Sequence, residues 1–296
     1  MGFKLPKINN LAPFLVNHEK LKPELYKYAL YSGCRTNEES FTAYVLTTVD
    51  NYERRDKFRT KWTQNRPEEV EMESIIFVMV LDENSSSDDE IPEELFMEHR
   101  MHDDLLVIWT EPGIVEKPEI SAIITHAAEC EENMEDDYSR HILVTTDDFF
   151  WFSDSLSSFL LADINNLPNQ LGLMLGDINY GNEDSFYENQ ILPPKCGEGA
   201  CVLSKTTVQK LHTVLQEEIG NSKQVLYFND HMTYLSLLVW KINESFQSGE
   251  DTQLKIQYHS DKRFWNGHES DVDNLTCLKF NFPIKIYKKY QEMCEM

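Results

Sequence analysis

Four groups of residues in this sequence have the types and spacing to do chemistry. Asp147 and Asp148 stand side by side directly after the apolar run His141–Thr146. Ligands gather beyond the carboxyl ends of strands in open α/β sheets, and hard divalent cations take oxygen ligands. A carboxylate pair at a strand end can therefore hold a cation that bridges a diphosphate; it can equally be an acidic turn that caps a following helix. The segment 228-FNDHMTYLSLLVWKIN-243 puts Asp230 at the head of a strongly apolar helix. A carboxylate there caps orphan amides, or serves as the general base for an attacking hydroxyl.

The segment 50-DNYERRDKFRTKW-62 brings Arg55, Phe58, Arg59 and Trp62 onto one helical face. Two guanidinium groups beside two rings can face a nucleotide. The alternative is an amphipathic helix whose rings are core and whose arginines pair with acids. In 193-PPKCGEGACVLS-204, Gly197 and Gly199 allow the backbone close to a ligand or simply make a tight turn.

The elements that must position these groups are short apolar strands alternating with amphipathic helices. Strand-like runs occupy 44–49, 70–81, 105–109 and 142–146. Asp50 caps the arginine helix, with Glu53 at the capping-box position. Further helical patterns cover 118–130, 153–165, 205–219 and 230–243. This alternation predicts an α/β fold with a mainly parallel sheet flanked by helices. Residues 1–40 are weakly patterned and are expected to form a stem or extension, with the main domain over 41–296.

The chain has 296 residues and a formal net charge of −24, from 27 Lys+Arg against 51 Asp+Glu. That balance argues against general affinity for nucleic acid or an anionic membrane, and a diphosphate would need a local cation. The loops 82–90 and 129–137 are acidic and read as solvated connections. No apolar run reaches the roughly 18 residues needed to span a bilayer. Six cysteines form no CxxC pair, which argues against a zinc site. Sequons at Asn84, Asn243 and Asn274 lean towards a secretory compartment.

Taken in order, YVLTTVDNYERRDKFRTKW, IIFVMVL, DDLLVIW, PEISAIITHAAEC, HILVTTDDFFWF, PPKCGEGACVLSKTTVQKL and FNDHMTYLSLLVWKIN resemble the β-1,3-galactosyltransferase (hexosyltransferase) family over about residues 42–245. The family's R-x-x-I-R-x-T-W helix is matched by Arg55, Phe58, Arg59 and Trp62. Its K-T-D-D-D-V-F-V stretch is matched by Thr145 to Phe152. Pro193, Pro194, Cys196, Val202, Leu203 and Ser204 fit its P-P-Y-C-S-G-x-G-Y-V-L-S loop, and Asn229-Asp230-His231 stands at its E-D-V motif.

The resemblance implies a GT-A nucleotide-sugar-binding fold. It implies inverting transfer of a hexose (galactose or N-acetylhexosamine type) from a UDP-sugar to a glycan hydroxyl, forming a β-1,3 linkage. On this resemblance Asp230 is the catalytic base, and Arg55, Arg59 and Asp147 lie near the donor nucleotide. Asp147 and Asp148 hold Mn²⁺, the acceptor is a glycoprotein or glycolipid glycan, and the site of action is the Golgi lumen. Cys130 and Cys196 fall in segments that commonly carry cysteine, which implies an oxidising compartment. The departures are Phe149 for the third Asp of the triple run, Asn229 for Glu, Glu198 for Gly, no securely placed late His (His259 or His268), and no membrane anchor. They leave a second expectation open: a catalytically degenerate member that keeps the fold for binding or assembly.

Overall fold

A computed structural model describes residues 15–17, 26–34, 41–64, 73–82, 91–110, 118–132, 141–151, 172–179, 186–187, 190–197, 200–221, 224–226, 230–246, 255–261, 264 and 281–283. The expected helix at 153–165, Glu198, Gly199, Asn229, His268, Cys277, Cys294 and the sequons at Asn84 and Asn274 lie outside them, as do most of the two acidic loops.

Eight strands make the central sheet: β1 (Tyr26–Leu30), β2 (Phe41–Leu46), β3 (Glu73–Asp82), β4 (Leu105–Thr110), β5 (His141–Thr146), β6 (Leu173–Gly176), β7 (Ala200–Ser204) and β8 (Gln257–Ser260). Their spatial order is β8-β6-β7-β5-β2-β3-β4-β1. Strands β5, β2, β3 and β4 pair in parallel. Strand β7 runs against both β5 and β6, β8 runs with β6, and β1 runs against β4. The fold is mixed α/β on a mainly parallel sheet, as the strand–helix alternation predicts.

Period-two geometry divides each central strand between two cores. In β3, Ile75, Phe77, Met79 and Leu81 face one side, while Ile76 and Val78 face the other. Strands β2, β4 and β5 divide likewise, so their sequences read as continuous apolar runs, the signature of a sheet covered on both faces. One face is covered by Phe58 of α1 (Tyr52–Gln64) and Leu95 of α2 (Glu93–His102). The other is covered by α3 (Glu119–Glu132), α4 (Lys205–Asn221) and α5 (His231–Ser245).

The chain steps outward through β2, α1, β3, α2 and β4, then returns by α3 across the opposite face to β5, on the far side of β2. That reversal makes a topological switch point between the carboxyl ends of β2 and β5, where ligands bind in open α/β sheets. The Asp147 amide donates to Leu46 O across it at 3.1 Å.

Parts of the segment expected as a stem or extension, residues 1–40, pair with the domain. Tyr26–Leu30 is the edge strand beside β4, and Leu15–Asn17 pairs with Gln224–Leu226. A disulfide from Cys34 to Cys130 on α3 fastens the segment to the domain. Asn243 also departs from expectation. It is 2% exposed, and its amide bonds both backbone groups of Ile256, at 3.0 and 2.7 Å. This sequon is structural.

Two predictions follow from these contacts. Ser replacement of both Cys34 and Cys130, which are separated by 96 positions, should lower unfolding free energy by about 4 kcal/mol in urea titrations. The second concerns His141, the first residue of β5, where burial pushes its imidazole down to about 4. The unfolded value is about 6.5. Between these values the unfolded chain binds a proton that the native state refuses, so stability is lost as pH falls through that window. His141 should contribute roughly 1.4 kcal/mol per pH unit, and His141→Gln should remove that share of the slope.

Candidate functional site

At the switch point Asp147 is almost fully buried, and its carboxylate is held from β2's carboxyl end. Thr47 Oγ1 donates to its Oδ2 at 2.5 Å and Asn51 Nδ2 donates to the same oxygen at 3.0 Å. Asn51 also stands at the head of α1, its carbonyl accepting from the amides of Arg54 and Arg55. The helix thus starts after Asn51 rather than at Asp50. Asp148 points outward, and Arg54 bridges the pair, 2.6 Å from Asp148 Oδ1 and 3.5 Å from Asp147 Oδ1.

Arg54, not Arg55 or Arg59, is the guanidinium at these carboxylates. At about 100° per residue, neighbours on a helix point to different sides. Arg55 points inward and is 1% exposed. Its Nε and Nη2 donate to Glu98 at 2.9 and 2.7 Å, and further bonds run to Thr48 O and Val49 O. Arg59 forks onto Asp104 at 2.7 and 2.9 Å, bonds Glu98 at 2.7 Å and lies over the Phe77 ring. Burial works against the Glu98 charge, but hydrogen bonds and charge from the two arginines hold its carboxyl below the ordinary value. The expectation that Arg55 and Arg59 face a nucleotide is therefore revised. Both meet carboxylates inside the protein, and Phe58 is core; the side chain of Trp62 lies outside the described residues.

The cation expected at Asp147 and Asp148 does not fit the side chains as they stand. Both oxygens of Asp147 and Oδ1 of Asp148 already face Thr47, Asn51 or Arg54. No cluster of three or more His, Cys, Asp or Glu able to enclose an ion occurs among the described residues. Phe149, in place of a third carboxylate, packs against the sheet core.

Asp230 is the N-cap of α5. Its Oδ1 accepts from the Thr233 amide at 2.7 Å, from the Thr233 hydroxyl, and from Lys195 Nζ at 3.4 Å. All three contacts converge on one oxygen, so among the described residues Oδ2 keeps its lone pairs. Burial pushes the carboxyl up, but Thr233 and the Lys195 ammonium outweigh it and hold it below its usual value, ionised at neutral pH. Lys195 lies in a short strand, Lys195–Cys196, which pairs with Ile178–Asn179 just beyond β6. Gly176 permits that approach, since a Cβ there would lie 2.9 Å from Cys196 Sγ and 3.0 Å from Ala200 O. Cys196 is joined to Cys201 across the turn.

Asp147, Asp148, Arg54, Lys195 and Asp230 thus all lie along the carboxyl edge of the sheet. The positive ends of α1, α3 and α5 open onto the same edge, which favours an anion. Arg54, Thr47, Asn51 and Lys195 are additions that sequence reasoning missed. Arg54 had one signal, its place a third of a turn from the apolar face. His259, on β8, is largely exposed, and nothing in the structure directs it at the carboxylates.

No family model matches the chain, and no curated protein matches it. Among solved structures, 4-diphosphocytidyl-2C-methyl-D-erythritol synthase superimposes with a TM-score of 0.36 and 11% identity, covering 82% of this chain and 99% of that one. Mouse xyloside xylosyltransferase 1 in its apo form gives 0.35 and 10%, covering 75% and 84%. The nucleoside-diphosphate-sugar pyrophosphorylase of Vibrio cholerae RC9 gives 0.31 and 10%, covering 86% and 100%. Superpositions this loose carry no argument about chemistry.

The two adjacent arginines should separate cleanly in stability. Arg55→Met strips a buried ion pair and should lower unfolding free energy by about 3–5 kcal/mol. Arg54→Met removes a half-exposed pair and should change it by under about 1 kcal/mol. Urea denaturation of the two variants measures both.

Proposed function

We propose that this protein is a glycosyltransferase of the GT-A type that moves a hexose from a UDP-sugar to a glycan hydroxyl. The observation that carries the reading is the pairing of two features on one sheet edge. One is a carboxylate pair fixed at the switch point; the other is an ionised carboxylate, Asp230, with a free oxygen at a helix N-terminus. The donor is of the galactose or N-acetylhexosamine type, and the product is a β-1,3-linked glycan of a glycoprotein or glycolipid. The two disulfides suit an oxidising lumen, here the Golgi. No helix among the described residues is long and apolar enough to cross a membrane.

In this reading the nucleotide lies over the β2–β5 switch point. Asp147 and Asp148 accept hydrogen bonds from its hydroxyls, while Arg54, Lys195 and the helix N-termini supply positive potential for the diphosphate. Asp230 Oδ2 accepts the hydrogen of the acceptor hydroxyl as its oxygen attacks the anomeric carbon. The bond to UDP breaks on the opposite face, which inverts the centre. The residues do not fit the Mn²⁺ implied by the family resemblance, so no step is assigned to a metal.

One observation favours a second reading, a degenerate transferase fold used for binding or assembly. Arg54 already neutralises the carboxylate pair, and Phe149 is committed to the core.

A panel of UDP-sugars assayed for donor hydrolysis and transfer, with and without Mn²⁺, decides between them. The expected result is turnover that persists in chelator and that Asp230→Asn reduces at least 100-fold. Asparagine caps a helix as well as aspartate does, so stability should hold within about 0.5 kcal/mol. No turnover of any donor, or full activity in Asp230→Asn, would refute the transferase reading.

A further inference from the structure

Thr233, buried in the first turn of α5, has its hydroxyl between the two charges of the Lys195–Asp230 pair. Lys195 Nζ lies 3.0 Å from Thr233 Oγ1 and 3.4 Å from Asp230 Oδ1. An ammonium donates and cannot accept, so Thr233 Oγ1 must be the acceptor in that bond. The single hydroxyl proton is then directed to Asp230 Oδ1, the other partner of Oγ1. The Thr233 amide donates to the same carboxylate oxygen at 2.7 Å. The Asp230 side chain nevertheless keeps 45% of its surface exposed, so an incoming hydroxyl can reach it. The backbone of Lys195 is itself fastened: its strand pairs with Ile178–Asn179, and Cys196 is joined to Cys201.

A carboxylate turns readily about its last torsion, and each half-turn exchanges its two oxygens. The amide of an ordinary helix cap restrains that motion with one bond. Here a hydroxyl and an ammonium add two more to the same atom. We propose that Thr233 is a positioning residue for the base: its hydroxyl, oriented by Lys195, pins Asp230 Oδ1 so that Oδ2 meets the acceptor. The acceptor proton passes to Oδ2 as the acceptor oxygen bonds the anomeric carbon and UDP leaves with the bonding pair. The bonds that fix the carboxylate also hold it below its usual value, so the arrangement gives up base strength for a fixed line of attack. This inference rests on the transferase reading, in which Asp230 is the base.

Among the described residues, Lys195 is the charged side chain that acts on Asp230. His231 follows Asp230 on α5, and its Nε2 lies 3.6 Å from Glu119 of α3. Helix α4 meets α5 towards the other end, where Glu217 acts on Lys241 and Lys210 lies over the Phe246 ring.

Two substitutions test this. Thr233→Val keeps the side-chain shape and the amide bond of the cap but deletes the hydroxyl, whereas Thr233→Ser keeps the hydroxyl. In the free protein, ¹³C NMR of the aspartate carboxyls follows the titration of Asp230, assigned by loss of its signal in Asp230→Asn. Its midpoint should rise towards the ordinary value of about 3.9 in Thr233→Val and stay at the wild-type position in Thr233→Ser. In the transfer assay at pH 7, where the carboxylate is ionised in every variant, Thr233→Val should lower kcat about 10-fold with the donor KM unchanged. Thr233→Ser should restore it. A raised midpoint alone would make Asp230 a stronger base and speed the step, so a fall in kcat reports geometry. A midpoint indifferent to Thr233→Val in folded protein overturns the clamp. A moved midpoint with unchanged kcat, or a raised KM in place of a lowered kcat, overturns the positioning role. Absence of turnover in the wild-type protein overturns the transferase reading, while the titration still reports on the clamp.

Discussion

The site depends on the hydrogen bonding of one carboxylate, Asp147, across the gap between β2 and β5. The gap exists because the chain reverses direction there, and a parallel sheet has no local turn to close it. Thr47 and Asn51, both from the segment leaving β2, bond a single oxygen of a residue a hundred positions later. The amide of Asp147 bonds Leu46. These contacts lock the height of one strand end against the other and fix where α1 begins. The start of α1 in turn sets which arginine faces in and which faces out.

That division at Arg54 and Arg55 links stability with the site. The inward guanidinium builds a largely buried network with Glu98, Arg59 and Asp104, and Arg55 also reaches the carbonyls of Thr48 and Val49. Buried ion pairs of this kind are sensitive to loss of either partner, whatever their net worth relative to an apolar core. The outward guanidinium, one residue away, is held by partly solvated carboxylates and remains available for exchange. Carboxylates paired with arginine give an acidic protein a positive group at the carboxyl edge of its sheet.

The central strands were legible in the sequence because two-sided burial makes each of them a continuous apolar run, and α3, α4 and α5 because their apolar stripes are broad. Helix α2 was not. Its inward positions include Glu98, and a search for apolar periodicity passes over a buried acid whose partners lie about forty residues upstream. Strand β1, with Lys27 between tyrosines, lies at the sheet edge with part of its surface exposed and lacks the core-strand signature. At the site, Asp147, Asp148 and Asp230 could be named because strand ends and helix caps are local features. Thr47, Asn51 and Lys195 could not, since their contacts arise from pairings between distant segments.

Asn243 commits its side chain to the fold at a position where the sequence offers a sugar acceptor. Its side-chain nitrogen is the donor to Ile256 O and also the atom that an N-linked sugar would occupy in the sequence Asn243-Glu244-Ser245. In a chain threaded into a glycosylating lumen, closure of α5 over residues 255–256 competes with sugar attachment at that nitrogen. Once attached, a glycan would need room that a residue 2% exposed does not have, and would wedge the helix from its core. The same buried nitrogen cannot both carry a sugar and sit where it holds Ile256 here.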